Sequence, residues 1–557
     1  MVTWADASRW EPAPLADAVG ALNAEYNKLL PASEDLRKLT TPYGWTGEAA
    51  DAASAKVTEM VDGLEEWAAE LAAGRMAAAN VGDAVVGVKN GVEEVRNLAG
   101  AQNFTIADDG AVIDNGPPPG TPPEQAEAVA GERRQFAAEL AERVKQVMQS
   151  AEDVDTDFCS VLDRILNHQV FDATTNDNSA TNLSAAGSAG IQAGGLTIPA
   201  PPPEGATAAQ NAAYWATLSD QQRRQLAMDH PGLVGPRDGF TATHRDIANR
   251  SLLGQERGEL QRERGDLQRR LDGLKESDPS EMDEYHEIED QLKELDEKLG
   301  GIEQVDARLN NPDLPPAFLL GISGDNAGQA IIASGNPDTA ANVATYVPGT
   351  GSGLPGIEGD ITRSDRMFAE AQKAGSESTS VITWVGYDAP QSILPDAASK
   401  TFADNAEQRL HSFQAGLEAS HQGERAHSTV VGHSYGTTAI GQTARDHGLA
   451  TDDVIFVGSP GVGVDHADQL RLDGVPASQV SDHVYSTAAP TDPVPLATNF
   501  RTPELDGVDP LGPDPTTEWF GGRQFAAEAT SPLDSHSDYW EPNSSSLRKM
   551  GQVIAGS

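Results

Sequence analysis

Cations, cysteine and long apolar runs are what this sequence of 557 residues has least of. It carries 39 Lys and Arg against 85 Asp and Glu, a net charge of −46. Holding phosphates needs a surplus of cations, so nucleic acid is excluded as a direct partner. Cys159 is the single cysteine, which excludes an internal disulfide framework and any multi-cysteine metal or iron–sulfur centre. No run reaches the roughly 18 apolar residues of a membrane span, so no transmembrane segment is expected. Met1 to Trp10 has neither a basic start nor an apolar stretch, so no cleaved signal peptide is expected either. Hydrophobic residues make up 38% with a further 54 glycines, enough for a sizeable core. At roughly 100–200 residues per domain, the length calls for several units.

What is present is punctuated. Gly116-Pro-Pro-Pro-Gly-Thr-Pro-Pro123 and Pro199-Ala-Pro-Pro-Pro203 are proline-rich, and a small polar stretch over 173–195 precedes the second. Both read as linkers, because proline removes backbone donors and small polar residues cannot fill a core. The expected organisation is a helical-hairpin region (1–110), a helix with flanking linkers (111–204), a helical segment (205–312) and a sheet domain (313–557). In the first region Val57, Met60, Val61, Leu64, Trp67 and Leu71 fall at helical spacing, and Leu15, Leu22, Tyr26 and Leu29 predict a shorter helix upstream. The whole region reads as helical, with Tyr43-Gly-Trp45-Thr-Gly47 as the turn. A further helix is predicted over 124–167, with Cys159 an ordinary small apolar residue in it. Leu253, Leu260, Leu267 and Leu274 then repeat every seven residues, and beyond Ser277-Asp-Pro-Ser280 come Ile288, Leu292, Leu295, Leu299 and Ile302. That pattern predicts an antiparallel coiled hairpin whose charged residues face water.

From about Asp313 short apolar runs alternate with polar helices. Strands are predicted over 318–322, 330–333, 343–347, 380–385, 428–431, 454–457 and 484–487, with helices over 364–373, 402–420 and 437–447. Such alternation makes an α/β fold, a mostly parallel sheet covered on both faces, with chemistry at the carboxyl ends of the strands.

Gly432-His433-Ser434-Tyr435-Gly436 is the most informative segment. A strand enters it and a helix leaves it, the setting in which Gly-x-Ser-x-Gly holds a nucleophilic serine on a sharp turn. A serine hydroxyl needs a histidine to take its proton and a carboxylate to orient that histidine. Asp492, just beyond a predicted strand between Pro490 and Pro493, is the expected acid, with Asp465 the runner-up. His536 is the only histidine after Asp492, and His433 is expected to pack or bond locally. The oxyanion donors are expected to be the Tyr435 amide and one from Val347-Pro-Gly349-Thr350-Gly351-Ser352, with Thr350 preferred and Gly351 next. No metal or organic cofactor is called for.

Two other chemistries fit less well. Gly351-Ser-Gly353-Leu-Pro-Gly356 matches the dinucleotide-loop spacing, but Pro355 and the polar stretch 357–363 are expected to delay the helix, and the next strand ends at Val385-Gly-Tyr387. His411, His421 and His427 lack metal-ligand spacing.

Two resemblances add to this. Trp45-Thr-Gly47 between two helices resembles the Trp-x-Gly turn of the helical-hairpin proteins of type VII secretion, over roughly residues 10–105. It implies a secretion-system component or a second hairpin as partner, and leaves cytoplasmic residence and type VII-like export both open. The family's Tyr-x-x-x-Asp/Glu signal has no match close behind the hairpin. From about residue 210 onward the chain resembles an actinobacterial alpha/beta-hydrolase family. The residues that carry this are Trp215-x-x-Leu218, His230-Pro-x-x-Val-Gly235, Asp238-Gly239, Arg245-Asp-x-Ala-Asn-Arg250, Val347-Pro-Gly-Thr-Gly-Ser352, Gly432-His-Ser-Tyr-Gly436, Val457-Gly-Ser-Pro-Gly461 and Asp492-Pro-Val. It implies an alpha/beta-hydrolase fold behind the all-α modules, with Ser434, Asp492 and His536 as triad and a small-molecule or lipid ester as substrate. The segment 215–250 is expected to pack as a cap anchored by Trp215. The alternative function is a secreted helical interaction protein with a non-catalytic hydrolase-like domain.

Overall fold

A computed structural model describes residues 2–37, 46–117, 126–171, 183–195, 201–276, 278–391, 401–498, 511–528, 531 and 534–557. Tyr43, Gly44, Trp45, Ser277 and parts of both proline-rich breaks lie outside them. The chain forms two compact units, Met1–Ala206 with Ala213–Arg223, and Thr207–Ala212 with Arg224–Ser557.

The first unit is built on the helix Glu48–Ala101, against which Ala13–Arg37, Ala126–Leu166 and Leu183–Ala193 pack. Its buried stripe is the small one, with Ala69, Ala73, Ala77 and Val88 fully covered, while Met60 and Trp67 are 50% and 59% exposed. Close approach decides this. A Cβ on Gly190 or Gly194 would lie 2.1 or 2.2 Å from the carbonyl oxygens of Ala69 and Ala73. The region is not helical throughout. Phe104–Ile106 and Val112–Asp114 pair antiparallel, joined through Asp109-Gly110, where Gly110 takes φ +88°. Among the described residues no helix is long and apolar enough to cross a membrane.

The second unit holds an eight-stranded sheet: β1 Ala317–Ser323, β2 Gln329–Ser334, β3 Asn342–Val347, β4 Thr379–Val385, β5 His427–His433, β6 Asp453–Val457, β7 Val484–Thr487 and β8 Arg523–Gln524. Its order is β8-β7-β6-β5-β3-β4-β2-β1. The strands from β8 to β4 are parallel neighbours, and β2 runs antiparallel to both β4 and β1. All seven apolar runs became strands; β8, two exposed residues, carried no signal. β3, β4 and β6 are buried at every position, which is why they read as unbroken apolar runs. The sheet's helices are α1 Ala242–Leu271, α2 Met282–Leu309, α3 Ile357–Lys373, α4 Thr401–Ser420, α5 Tyr435–Asp446 and α6 Ser545–Ile554. α4 and α5 share one core with the sheet, α3 and α6 the opposite one. The chain leaves β3 for β4 on one side and returns to β5 on the other. The carboxyl ends of β3 and β5 therefore open side by side, the crevice where such sheets bind ligands.

α3 begins at Ile357 rather than near residue 364. Ile357, Asp360 and Ile361 face inward, and Pro355 sits in the first turn of the preceding 3₁₀ helix Leu354–Gly356, where no amide is needed. α1 and α2 form an antiparallel pair bridged by Arg257–Asp306 (2.9 Å) and Arg270–Glu284 (3.1 Å). Ile302 and Val305 of α2 join Leu319, Ile332 and Ile357 in one apolar cluster. The Arg245–Arg250 motif serves the edge of the sheet. Asp246 Oδ1 accepts the Leu319 amide at 2.7 Å, and Asn249 Nδ2 donates to Leu319 O at 3.0 Å. Arg245 and Arg250 donate to Leu320 O and Ala317 O at 2.8 and 3.1 Å. Helix α1 thus covers edge strand β1 with side-chain hydrogen bonds. Trp215 is buried and is grouped with the helical unit, while the rest of the segment from Arg224 onward belongs to the sheet unit.

Candidate active site

Ser434 is the single residue between β5 and α5, with φ +52° and ψ −129°. A serine at positive φ is held against its preference. Two glycines allow it. A Cβ on Gly436 would lie 2.2 Å from Val347 O, and one on Gly432 2.7 Å from the Ile440 side chain. The end of β3 and the first turns of α5 therefore close directly on the turn. The Ser434 amide donates to Val457 O at 3.0 Å, which ties the turn to the end of β6. The amino end of α5 points at the site and favours developing negative charge.

Asp492 and His536 meet beside that turn. His536 Nδ1 lies 2.9 Å from Asp492 Oδ2 and 3.0 Å from Oδ1. A carboxylate only accepts, so Nδ1 carries the proton and Nε2 is left to take one. Asp492 is fully buried, and its carboxylate also accepts the Val494 amide at 2.9 Å and the Tyr539 hydroxyl at 2.5 Å. Gly458, directly after Val457, is the common wall: a Cβ there would stand 2.9 Å from Asp492 Oδ2 and 3.2 Å from the His536 ring. Among the described residues no hydrogen bond joins the Ser434 hydroxyl to His536. Asp465 is exposed, and its amide donates to Gln469.

The loop after β3 supplies the other side. A Cβ on Gly349 would lie 2.7 Å from Ser434 Cβ and 2.8 Å from the Tyr435 amide nitrogen. Tyr435 is the first residue of α5, so its amide sits at the amino end of that helix, directly after Ser434. Gly351 turns away: its amide donates to Pro390 O at 2.8 Å. Thr350 is half-buried.

His433 packs against His536. Its Nε2 donates to the His536 carbonyl at 2.7 Å, and its ring lies 4.7 Å from the His536 ring and 5.0 Å from Trp540. Burial, then the neighbouring His536 and Arg363, push its pKa well below the ordinary 6.5. It is therefore neutral. From the sequence Tyr539 had no role, and Gly349 only its place in the loop after β3. His411, His421 and His427 bond separately, to Gly448 O, Pro337 O and Val553 O. Helix α3 does follow the glycines 351–356 almost at once, so Pro355 and residues 357–363 do not delay it. At the end of β4 the acidic residue is Asp388, directly after Tyr387. Its two oxygens accept from Asn326 Nδ2 at 3.0 Å and Gln329 Nε2 at 2.9 Å, so it is engaged within the fold rather than held for a ribose. A depression of about 500 Å³ on the α1–α2 pair is lined by Leu271, Glu289, Leu292, Lys293, Asp296 and Glu297. None of these belongs to the site.

Residues 323–500 match the family described as Alpha/beta hydrolase. The second unit has the alpha/beta-hydrolase fold. Relatives lie in Mycobacterium tuberculosis. The uncharacterized protein Rv2079 is 29% identical over 381 residues, 64% of this chain and 56% of its own length. The uncharacterized protein Rv0963c is 30% identical over 169 residues, 28% of this chain and 63% of its own length. The chain thus spans less than two thirds of either relative. Among solved structures, esterase LipW from Mycobacterium marinum is 13% identical over 47% of this chain and 87% of its own, with a TM-score of 0.28. The thermostable carboxylesterase EstE1, cloned from a metagenomic library, is 14% identical over 47% and 95%, also at 0.28. Neither likeness carries an argument about chemistry. Within the alpha/beta-hydrolase unit, Ser434, Asp492 and His536 follow β5, β7 and β8 in chain order.

Proposed function

We infer that the protein is a serine hydrolase acting on a carboxylic-ester-like carbonyl. The contact between His536 Nδ1 and buried Asp492, one loop away from a serine at positive φ, is the observation that carries this reading. Ser434 Oγ attacks the carbonyl carbon while its proton passes to His536 Nε2, and Asp492 stabilises the imidazolium that forms. The oxyanion is held by the amides of Tyr435 and Thr350, each contributing about 3 kcal/mol. Collapse expels the leaving oxygen, which takes the proton from Nε2, and the acyl-serine is then hydrolysed by a water that His536 deprotonates. Esters are preferred to amides and thioesters by analogy with the fold.

One observation favours the second reading, a helical interaction protein whose hydrolase domain does no chemistry: the Ser434 hydroxyl and His536 are not hydrogen-bonded. Such bonds are often long before substrate binds. A fluorophosphonate probe separates the two readings. The active protein is labelled and Ser434→Ala is not; an unlabelled native protein, or equal labelling of both, removes the enzyme. A screen of acyl esters then finds the substrate class.

A further inference from the structure

We propose that Tyr539 is a positioning residue for this reaction, acting through Asp492; the inference rests on the triad reading above. A fully buried carboxylate needs its lone pairs filled. Asp492 Oδ1 accepts the Val494 amide at 2.9 Å and faces His536 Nδ1 at 3.0 Å. Oδ2 faces the same Nδ1 at 2.9 Å, and its other donor is the Tyr539 hydroxyl, at 2.5 Å. The Tyr539 oxygen in turn accepts the Ala489 amide at 2.9 Å, which directs its own proton to the carboxylate. Ala489 and Asp492 close one turn, in which the Asp492 amide donates to Ala489 O at 3.0 Å. Tyr539 therefore ties that turn to the 3₁₀ helix Asp538–Trp540, which begins two residues after His536. One hydroxyl thus fixes both the rotation of the carboxylate and the distance between the acid's loop and the base's.

Burial and the Asp492 charge push the phenol far above its ordinary 10.0, in keeping with a permanent donor. Tyr539→Phe removes the hydroxyl and with it the donor to Asp492 Oδ2. The ring contacts with His433 and Trp540 remain, so the fold is kept.

The test is a double-mutant cycle in the full chain with Tyr539→Phe and Asp492→Asn. It is read by the rate of fluorophosphonate labelling and by kcat and KM on p-nitrophenyl butyrate. Tyr539→Phe is expected to lower kcat and the labelling rate about tenfold to a hundredfold, the loss carried by one hydrogen bond to a charged group. KM stays unchanged, and nothing further is lost in the Asp492→Asn background. Native rates in Tyr539→Phe, or losses that simply add to those of Asp492→Asn, overturn the proposal. Labelling that depends on Ser434 and Asp492 but not on Tyr539 sinks this inference alone. A native protein that is not labelled sinks the triad reading, and this inference with it.

Discussion

At Gly458 a hydrogen atom stands where any side chain would meet both the proposed acid and the proposed base. Its φ is +57°, and an added Cβ would be 2.9 Å from Asp492 Oδ2 and 3.2 Å from the His536 ring. Gly458→Ala is therefore expected to separate Asp492 from His536 and slow fluorophosphonate labelling about a hundredfold, the usual cost of a misplacement near 1 Å. Stopped-flow labelling against an unchanged circular dichroism spectrum checks it. Ser434 could be singled out from the sequence because its signal is local: a strand, two glycines, a helix. The chain order of Asp492 and His536 was also readable. The roles of Gly349, Gly458 and Tyr539 were not, because what each does depends on a neighbour distant in the chain. That the Pro390 carbonyl takes the Gly351 amide was likewise beyond local reading.

Whole elements were legible wherever burial imposes a period. β3 and β4 are covered on both faces, so their apolar runs stand out, whereas β8, with no buried residue, had nothing to show. The start of α3 was misjudged because only one side of residues 357–363 is apolar. The same kind of limit hid the role of the Arg245–Arg250 motif. Its polar residues look like a solvated helix face, yet Asn249 is 1% exposed and bonds the edge of β1. Asn249→Ala leaves Leu319 O and Gly235 O without that donor. It is expected to cost about 1–3 kcal/mol, measured as a lower urea midpoint with an unchanged slope.

For the molecule as a whole, the charge of −46 argues about partners and not about the fold. One pH-dependent contribution to stability can be located. His427 at the amino end of β5 bonds Asp453 of β6 (3.2 Å) and Val553 O of α6 (3.1 Å), with Asp452 at 3.7 Å. The hydrogen bond to Asp453 raises its pKa above the ordinary 6.5. A raised value in the folded state means the stabilisation is complete below 6.5 and fades as pH climbs through the raised value. The melting-temperature gap between native protein and His427→Gln should be widest near about pH 5.5 and close by about pH 9; a gap that does not change with pH would refute the assignment. The sequence alone determined the α/β class, the seven main strands and the strand–serine–helix turn, because periodicity and short-range sterics act within a few residues. Only the tertiary structure decided that Asp492 meets His536, that Tyr539 joins them and that α1 covers the sheet edge. Those contacts link groups 44, 47 and about 70 residues apart, and no local pattern encodes such a distance.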